Sequence, residues 1–398
     1  MIWQKWLDDQ AELRDRAGLR RTLRPRGPDD PVVDLAGNDY LGLSRHPAVS
    51  ERAAEAARTW GAGAGASRLV TGTLGLHVEL EGALADFLGQ PAALVTSTGY
   101  HANLAAVTAL ADRDCLVVSD AHVHASLVDA ARLSRAEVTV TAHNDVCAVS
   151  AALARADGRR TMVLTESIYS VFGDPAPLRE LAGVCASYGA LLLVDEAHGL
   201  GVVGAGGHGL VRDLGLDGHD HVVVTATLSK SLGAQGGAVL GSPAVIDHLV
   251  NRARPFIYDT GLAPSAAAGA LAALEVLLTR PELPAVVHTR ATELAGALGV
   301  PAPEGGVLSV PMPSPQVALA AQAAALEEGV RVGCFRPPSV PDEVSRLRVT
   351  TSAGIPEADW ARAAAVLGQV VKEYETTPPD HSLRSRSGGD PETTPETS

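Results

Sequence analysis

Apolar positions follow two rhythms along this chain. The short, largely apolar runs 190–194 and 221–226 are too brief for amphipathic helices and read as strands buried on both faces, 162–165 reads as another buried strand, and 92–96 and 115–119 read as extended. Between them, residues 47–60, 76–88, 100–110 and 124–133 carry apolar side chains at helical spacing, and 137–141 reads as another extended segment. Such alternation predicts an α/β fold with a mostly parallel sheet flanked by helices. Beyond an Ala-rich helical stretch ending near Leu278, strands at 307–311, 330–333 and 347–351 with helices at 316–328 and 357–374 predict a smaller C-terminal α/β domain. The expected boundaries are 1–36 for an N-terminal helix and arm, 37–255 for a large domain, 256–375 for a small one, and 376–398 for a tail. That tail is rich in Thr, Pro and Ser with almost no apolar residue, so it is expected to be disordered.

Two of the buried strands end in chemistry. The run Leu191-Leu192-Leu193-Val194 leads into Asp195-Glu196-Ala197-His198-Gly199, and the run from His221 leads into Thr227-Leu228-Ser229-Lys230. Open α/β sheets bind ligands beyond the carboxyl ends of their strands. A lysine desolvated there loses ammonium character and can form a Schiff base, and pyridoxal phosphate is the usual aldehyde. Its ring nitrogen needs a carboxylate partner, for which Asp195 is placed, and His198 can reach the phenolic oxygen. For the isolated pair, a capping Asp and a solvated Lys remain the plainer reading.

Further candidates stand at other strand ends. Ser97-Thr98-Gly99-Tyr100 opens a helix whose free N–H groups suit a phosphate. His124 can lie against a planar ring, and Glu166 to Ser170 ends a strand at the same rim. His122 and His124 as metal ligands lack an acidic or cysteine partner at ligand spacing, so no metal is expected. Two glycine-rich stretches, 61–68 and 204–209, resemble dinucleotide fingerprints. The first follows a helix and the second lacks a long helix after it, which argues against nicotinamide or flavin. The arginines of 20–26, Arg21 among them, are a solvated face or a phosphate contact.

Composition narrows the classes. A net charge of -14 opposes nonspecific binding to nucleic acid or anionic membrane. No apolar run approaches the ~20 residues of a membrane span, and no signal peptide is recognisable. Four scattered cysteines suggest neither a disulfide framework nor a zinc site and fit a cytoplasmic protein.

Taken together, Asn38-Asp39-Tyr40-Leu41-Gly42, Ser67-Arg68-Leu69-Val70-Thr71-Gly72, His124-Ala125-Ser126, Asp195-Glu196-Ala197-His198-Gly199, Thr227-Leu228-Ser229-Lys230 and Arg336-Pro337-Pro338-Ser339-Val340-Pro341 occur in one order. In this the chain resembles the α-oxoamine synthases, pyridoxal-phosphate enzymes of the aspartate-aminotransferase fold (fold type I), from the N-terminal helix to about residue 375. The resemblance implies that Lys230 carries the cofactor, Asp195 holds its ring nitrogen, His198 its phenolic oxygen, and His124 stacks on the ring. It places Gly99, Tyr100, Thr227 and Ser229 at the phosphate, Glu166 and Ser170 along the site, and Asn38, Arg336 and Arg21 toward substrate. It also implies a homodimer with shared active sites, in which Thr260 reaches the neighbouring subunit's phosphate. The forms Phe335-Arg336-Pro337-Pro338 and Ala142-His143-Asn144-Asp145 look more like the branch that condenses L-alanine with pimeloyl-CoA or a pimeloyl carrier protein than like the glycine-using branches, which stay open as the alternative. Leu69 and Phe172 depart from the family pattern on the substrate side.

Overall fold

The computed structural model describes residues 1–16, 19–337, 340 and 342–375. The expected disordered tail lies outside the described residues, as do Pro338, Ser339 and Pro341 of the arginine motif. The chain divides into two compact units, residues 1–32 and the chain from Val33 onward. In the first, α1 (Ile2–Arg16) buries no residue. Its i,i+4 ion pairs Lys5–Asp9 and Arg16–Glu12 are exposed and contribute only tenths of a kcal/mol (about 0.3–0.5 each). Arg21 follows in the same unit.

The second unit is built on two sheets. The larger combines β2 (Ala92–Thr96), β3 (Cys115–Asp120), β4 (Glu137–Thr141), β5 (Arg160–Glu166), β6 (Leu191–Asp195), β7 (Val222–Thr227) and β8 (Gly237–Gly241) in the order β2-β8-β7-β6-β5-β3-β4. Only β8 runs against its neighbours. The others share one direction and deliver their carboxyl ends to one rim. β6 and β7 are buried almost throughout, as their largely apolar sequences predict. The smaller sheet is β1 (Val33–Leu35), β10 (Val330–Phe335), β11 (Arg346–Thr350) and β9 (Val307–Pro311), in that order.

Two apolar cores follow. The first surrounds the seven-stranded sheet and includes the Ala-rich helix Pro264–Thr279. The second gathers Val33 and Leu35 with the segments from Ala291 to Val371. The helices α2 (Pro47–Trp60), α3 (Gly75–Leu88), α4 (Gly99–Leu110) and α5 (Ala125–Ser134) follow the predicted segments within one residue. The Ser67–Gly72 motif anchors the chain between α2 and α3. Arg68 donates from Nη1 and Nη2 to the two carboxylate oxygens of Glu81 at 2.9 and 3.2 Å, and from Nε to Thr73 at 3.0 Å. The Arg68 side chain is buried and Glu81 is half-buried, so removing Glu81 strands the guanidinium at a cost of about 3 kcal/mol. In the 204–209 stretch, the helix that follows is four residues long (Leu210–Asp213), and the loop packs on the Glu196 carboxylate, which accepts from Val211 N–H at 2.7 Å.

Candidate active site

The rim of the large sheet holds the predicted residues. β6 ends at Asp195, β5 at Glu166 in register with it, and β7 at Thr227. Three residues past Thr227, Lys230 lies with Nζ 2.7 Å from His198 Nε2. His198 Nδ1 is 2.7 Å from the Tyr40 hydroxyl, which donates to Asn38 Oδ1 at 3.1 Å. Because a lysine ammonium only donates, Nε2 accepts from it, and a neutral His198 then carries its proton on Nδ1 toward the Tyr40 oxygen. Burial, then the neighbouring cations Lys230 and Arg348, push the His198 pKa well down, which agrees with a neutral ring. Burial also lowers Lys230 to about 8, against the opposing pull of Asp195 and Glu166. The amine is therefore a usable nucleophile and base near neutral pH.

Glu166 is buried, and burial followed by the adjacent Asp195 raises it to about 8. One carboxyl oxygen accepts from Ser170 N–H at 3.2 Å, and the other is buried without a partner among the described residues. His124 caps α5, its Nδ1 accepting from Ser126 N–H at 3.2 Å. Desolvation lowers its pKa, so it too is neutral at pH 7.

Beside this group is a tight cradle. Thr98 caps α4 by accepting from His101 N–H at 3.1 Å. A Cβ on Gly99 would stand 2.8 Å from Thr227 Cβ, and one on Gly237 would stand 2.6 Å from Gly99 Cα. Only glycine fits there, leaving the α4 N–H groups of Gly99 and Tyr100 beside Thr227 Oγ1, itself 2.7 Å from Ser229 Oγ. The Tyr100 hydroxyl donates to Asp129 at 2.8 Å. An amine, an acid, a flat histidine and an anion cradle on one rim, with an orphaned buried Glu166 oxygen, fit pyridoxal phosphate.

Arg348 is the residue sequence reasoning missed. It is buried on β11, donates from Nε to the Ser170 carbonyl at 2.7 Å and from Nη2 to Asn38 Oδ1 at 3.2 Å. The signal was Arg346-Leu347-Arg348-Val349-Thr350, a strand whose arginines read as a solvent face but are all buried. Arg336 stands one residue past the end of β10, half-buried, and Arg21 belongs to the other unit. Thr260 is exposed and pairs with Ser67 in an isolated bridge. Phe172 lies under the Arg346 guanidinium at 4.3 Å, and Leu69 is exposed.

The expectation that His122 lacks an acidic neighbour is overturned: Asp120, His122 and His143 stand together. β3 and β4 end side by side, so residues distant in sequence meet there. His143 Nδ1 is 3.0 Å from Asp120 and Nε2 is 2.8 Å from Asp174, which engages both ring nitrogens. His122 stacks on it at 3.8 Å and 21°, so the in-plane lone pairs run parallel rather than converging on an ion. Burial opposes its charge, but the bonds to Asp120 and Asp174 outweigh this and raise His143 to about 9. His124 takes no part in the group.

Comparison with known proteins places this geometry. The chain is 56% identical over 367 residues to 8-amino-7-oxononanoate synthase of Mycolicibacterium gilvum, covering 92% of this chain and 97% of that one. Among solved structures it matches serine palmitoyltransferase of S. paucimobilis, a variant with a bound pyridoxal phosphate–myriocin aldimine, with TM-score 0.85 and 29% identity over 92% of this chain and 97% of the other. It also matches 8-amino-7-oxononanoate synthase from Francisella tularensis, with TM-score 0.73 and 25% identity over 87% and 99%. The family model for aminotransferase class I and II covers residues 30–367, and the chain belongs to that family.

Proposed function

We propose that this chain condenses L-alanine with a pimeloyl thioester, on CoA or a carrier protein, to give 8-amino-7-oxononanoate, CO2 and the free thiol, a step of biotin biosynthesis. The chain is a pyridoxal-phosphate-dependent acyltransferase. The observation that carries the reading is the 2.7 Å contact between Lys230 and a neutral His198 beside the buried Asp195 and Glu166. Pyridoxal phosphate, when bound, supplies an aldehyde for Lys230 and a protonated ring that takes up electron density from the amino-acid α-carbon.

The residues of the chain do the rest. Gly99, Tyr100, Thr227 and Ser229 would hold the phosphate, Asp195 would pair with the ring nitrogen, and His124 would cover the ring. Arg348, steered by Asn38 and the Ser170 carbonyl, would bind the alanine carboxylate and orient it for loss of CO2. The Lys230 amine would take the α-proton at Nζ. Its lowered pKa leaves a substantial neutral fraction at pH 7–8. Neutral Glu166, with one free oxygen, can donate a proton where charge develops. Arg336 belongs to the substrate side in this reading.

A homodimer fits the surface. The Ser67–Thr260 bridge sets two loops side by side, and Leu69, Val70 and Tyr258 on them are exposed apolar residues awaiting cover. Thr260 there would meet the neighbouring subunit's phosphate. Among the described residues no helix is long and apolar enough to cross a membrane. The four cysteines, all free, support a reducing cytoplasm.

Mass detection of product from purified protein, L-alanine and pimeloyl-CoA tests the reaction, with glycine in place of alanine as the competing substrate. Formation of 8-amino-7-oxononanoate with alanine is expected. Product only with glycine, or equal turnover by Lys230→Ala, refutes it.

A further inference from the structure

Asn103 lies one turn into α4, buried, and every polar atom of its side chain is used. Its Nδ2 donates to Asp195 Oδ2 at 2.7 Å and to Ser126 Oγ at 2.8 Å, and its Oδ1 accepts from Thr225 Oγ1 at 2.6 Å. The amide orientation is fixed, because the aspartate carboxylate only accepts and so must face the nitrogen. Ser126 Oγ in turn is 2.7 Å from His124 Nδ1, the atom that also accepts from Ser126 N–H. Nδ1 therefore bears a lone pair, and the His124 proton sits on Nε2. The other Asp195 oxygen accepts from Ala197 N–H at 2.9 Å. The carboxylate is thus held from two sides, one of them through a side chain that also reaches toward His124.

We propose that Asn103 is a positioning residue that couples Asp195 to His124, holding the carboxylate at the cofactor's ring nitrogen and, through Ser126, the neutral ring that covers the same cofactor. This rests on the pyridoxal-phosphate reading above. Thr225 anchors the far end, so the donors run in one direction from β7 through α4 to the two groups that flank the ring. A single amide then sets both the angle of Asp195 and the tautomer of His124. A histidine kept uncharged over a protonated ring avoids a like-charge contact.

The test uses the holoprotein and four forms: wild type, Asn103→Leu, Ser126→Ala and the double variant. The readouts are the dissociation constant for pyridoxal phosphate and the pH titration of its visible absorbance, with thermal unfolding of the cofactor-free forms as the fold control. Asn103→Leu is expected to weaken cofactor binding about tenfold and to move the titration midpoint by roughly one pH unit, the loss expected for a buried bond to a charged group. Ser126→Ala is expected to do less, and the double variant to fall short of the product of the two. Binding and titration within twofold of wild type in Asn103→Leu, or strictly multiplicative effects, overturn the proposal. If Asn103→Leu does not fold, the isosteric Asn103→Asp, which cannot donate to Asp195, carries the same criteria. A wild type that shows no visible band dependent on Lys230 would instead fail the cofactor reading itself.

Discussion

His198 and His143 are both held between two partners at the rim of the same sheet, and they end in opposite charge states. Burial disfavours the imidazolium at each. At His198 the neighbours are cations, Lys230 and Arg348, and they add to the burial. At His143 the neighbours are the carboxylates of Asp120 and Asp174, and their bonds overcome it. Desolvation sets the stakes, and the sign of the nearest charge decides the outcome. The neutral ring serves chemistry, because Nε2 can accept from an amine while Tyr40 holds Nδ1. The charged ring serves architecture, because it ties the end of β3 to the loop that carries Ser170 and Phe172. Asn144 completes that tie, donating from Nδ2 to Asp174 at 3.1 Å and to the Pro175 carbonyl at 3.2 Å.

The largest expected break is at Lys230. In the proposed reaction Lys230→Ala would remove both the cofactor's anchor and the base, so turnover should fall by at least about three orders of magnitude and the visible absorbance should vanish. The same change deletes a cation beside His198, whose pKa should rise in an NMR titration. Next comes Arg348→Met, which should cost about a hundredfold in kcat/KM for alanine, as expected for loss of a charged, buried contact. It too should raise His198, whereas His143, facing carboxylates, should not respond.

His143→Gln tests the other region and should leave chemistry nearly intact while costing about 2–3 kcal/mol of stability below pH 6.5. The folded pKa near 9 stands above the unfolded value of 6.5, so this contribution is complete below 6.5 and fades as pH rises through about 9. Denaturant unfolding at pH 6 and pH 9.5 should show a fall in stability with pH that is smaller in the variant by that same amount. An equal drop in both would remove His143 as its source. The smallest effect belongs to His122→Ala, which loses the stacked ring at 3.8 Å and should cost about 0.5–1 kcal/mol in the same measurement.

What the sequence by itself determined is whatever the chain encodes locally. Runs such as Leu191–Val194 can only be doubly buried strands, so the α/β alternation, the shared rim and the placing of Asp195 and Lys230 at strand ends were all legible. Thr98 and Gly99 at a helix start were legible for the same reason. Tertiary structure alone decided the partners. Asn103 reads as one more polar residue inside a helix, and Arg348 as the outward face of a strand. Both acquire their roles only when α4 packs on β7 and β11 is brought beside Asn38. Asp120 and His143 are likewise 23 residues apart and meet because β3 and β4 pair in parallel. Hydrophobic period is a property of neighbouring residues, whereas charge state and hydrogen-bond partner belong to contacts across the fold, and no local pattern carries them.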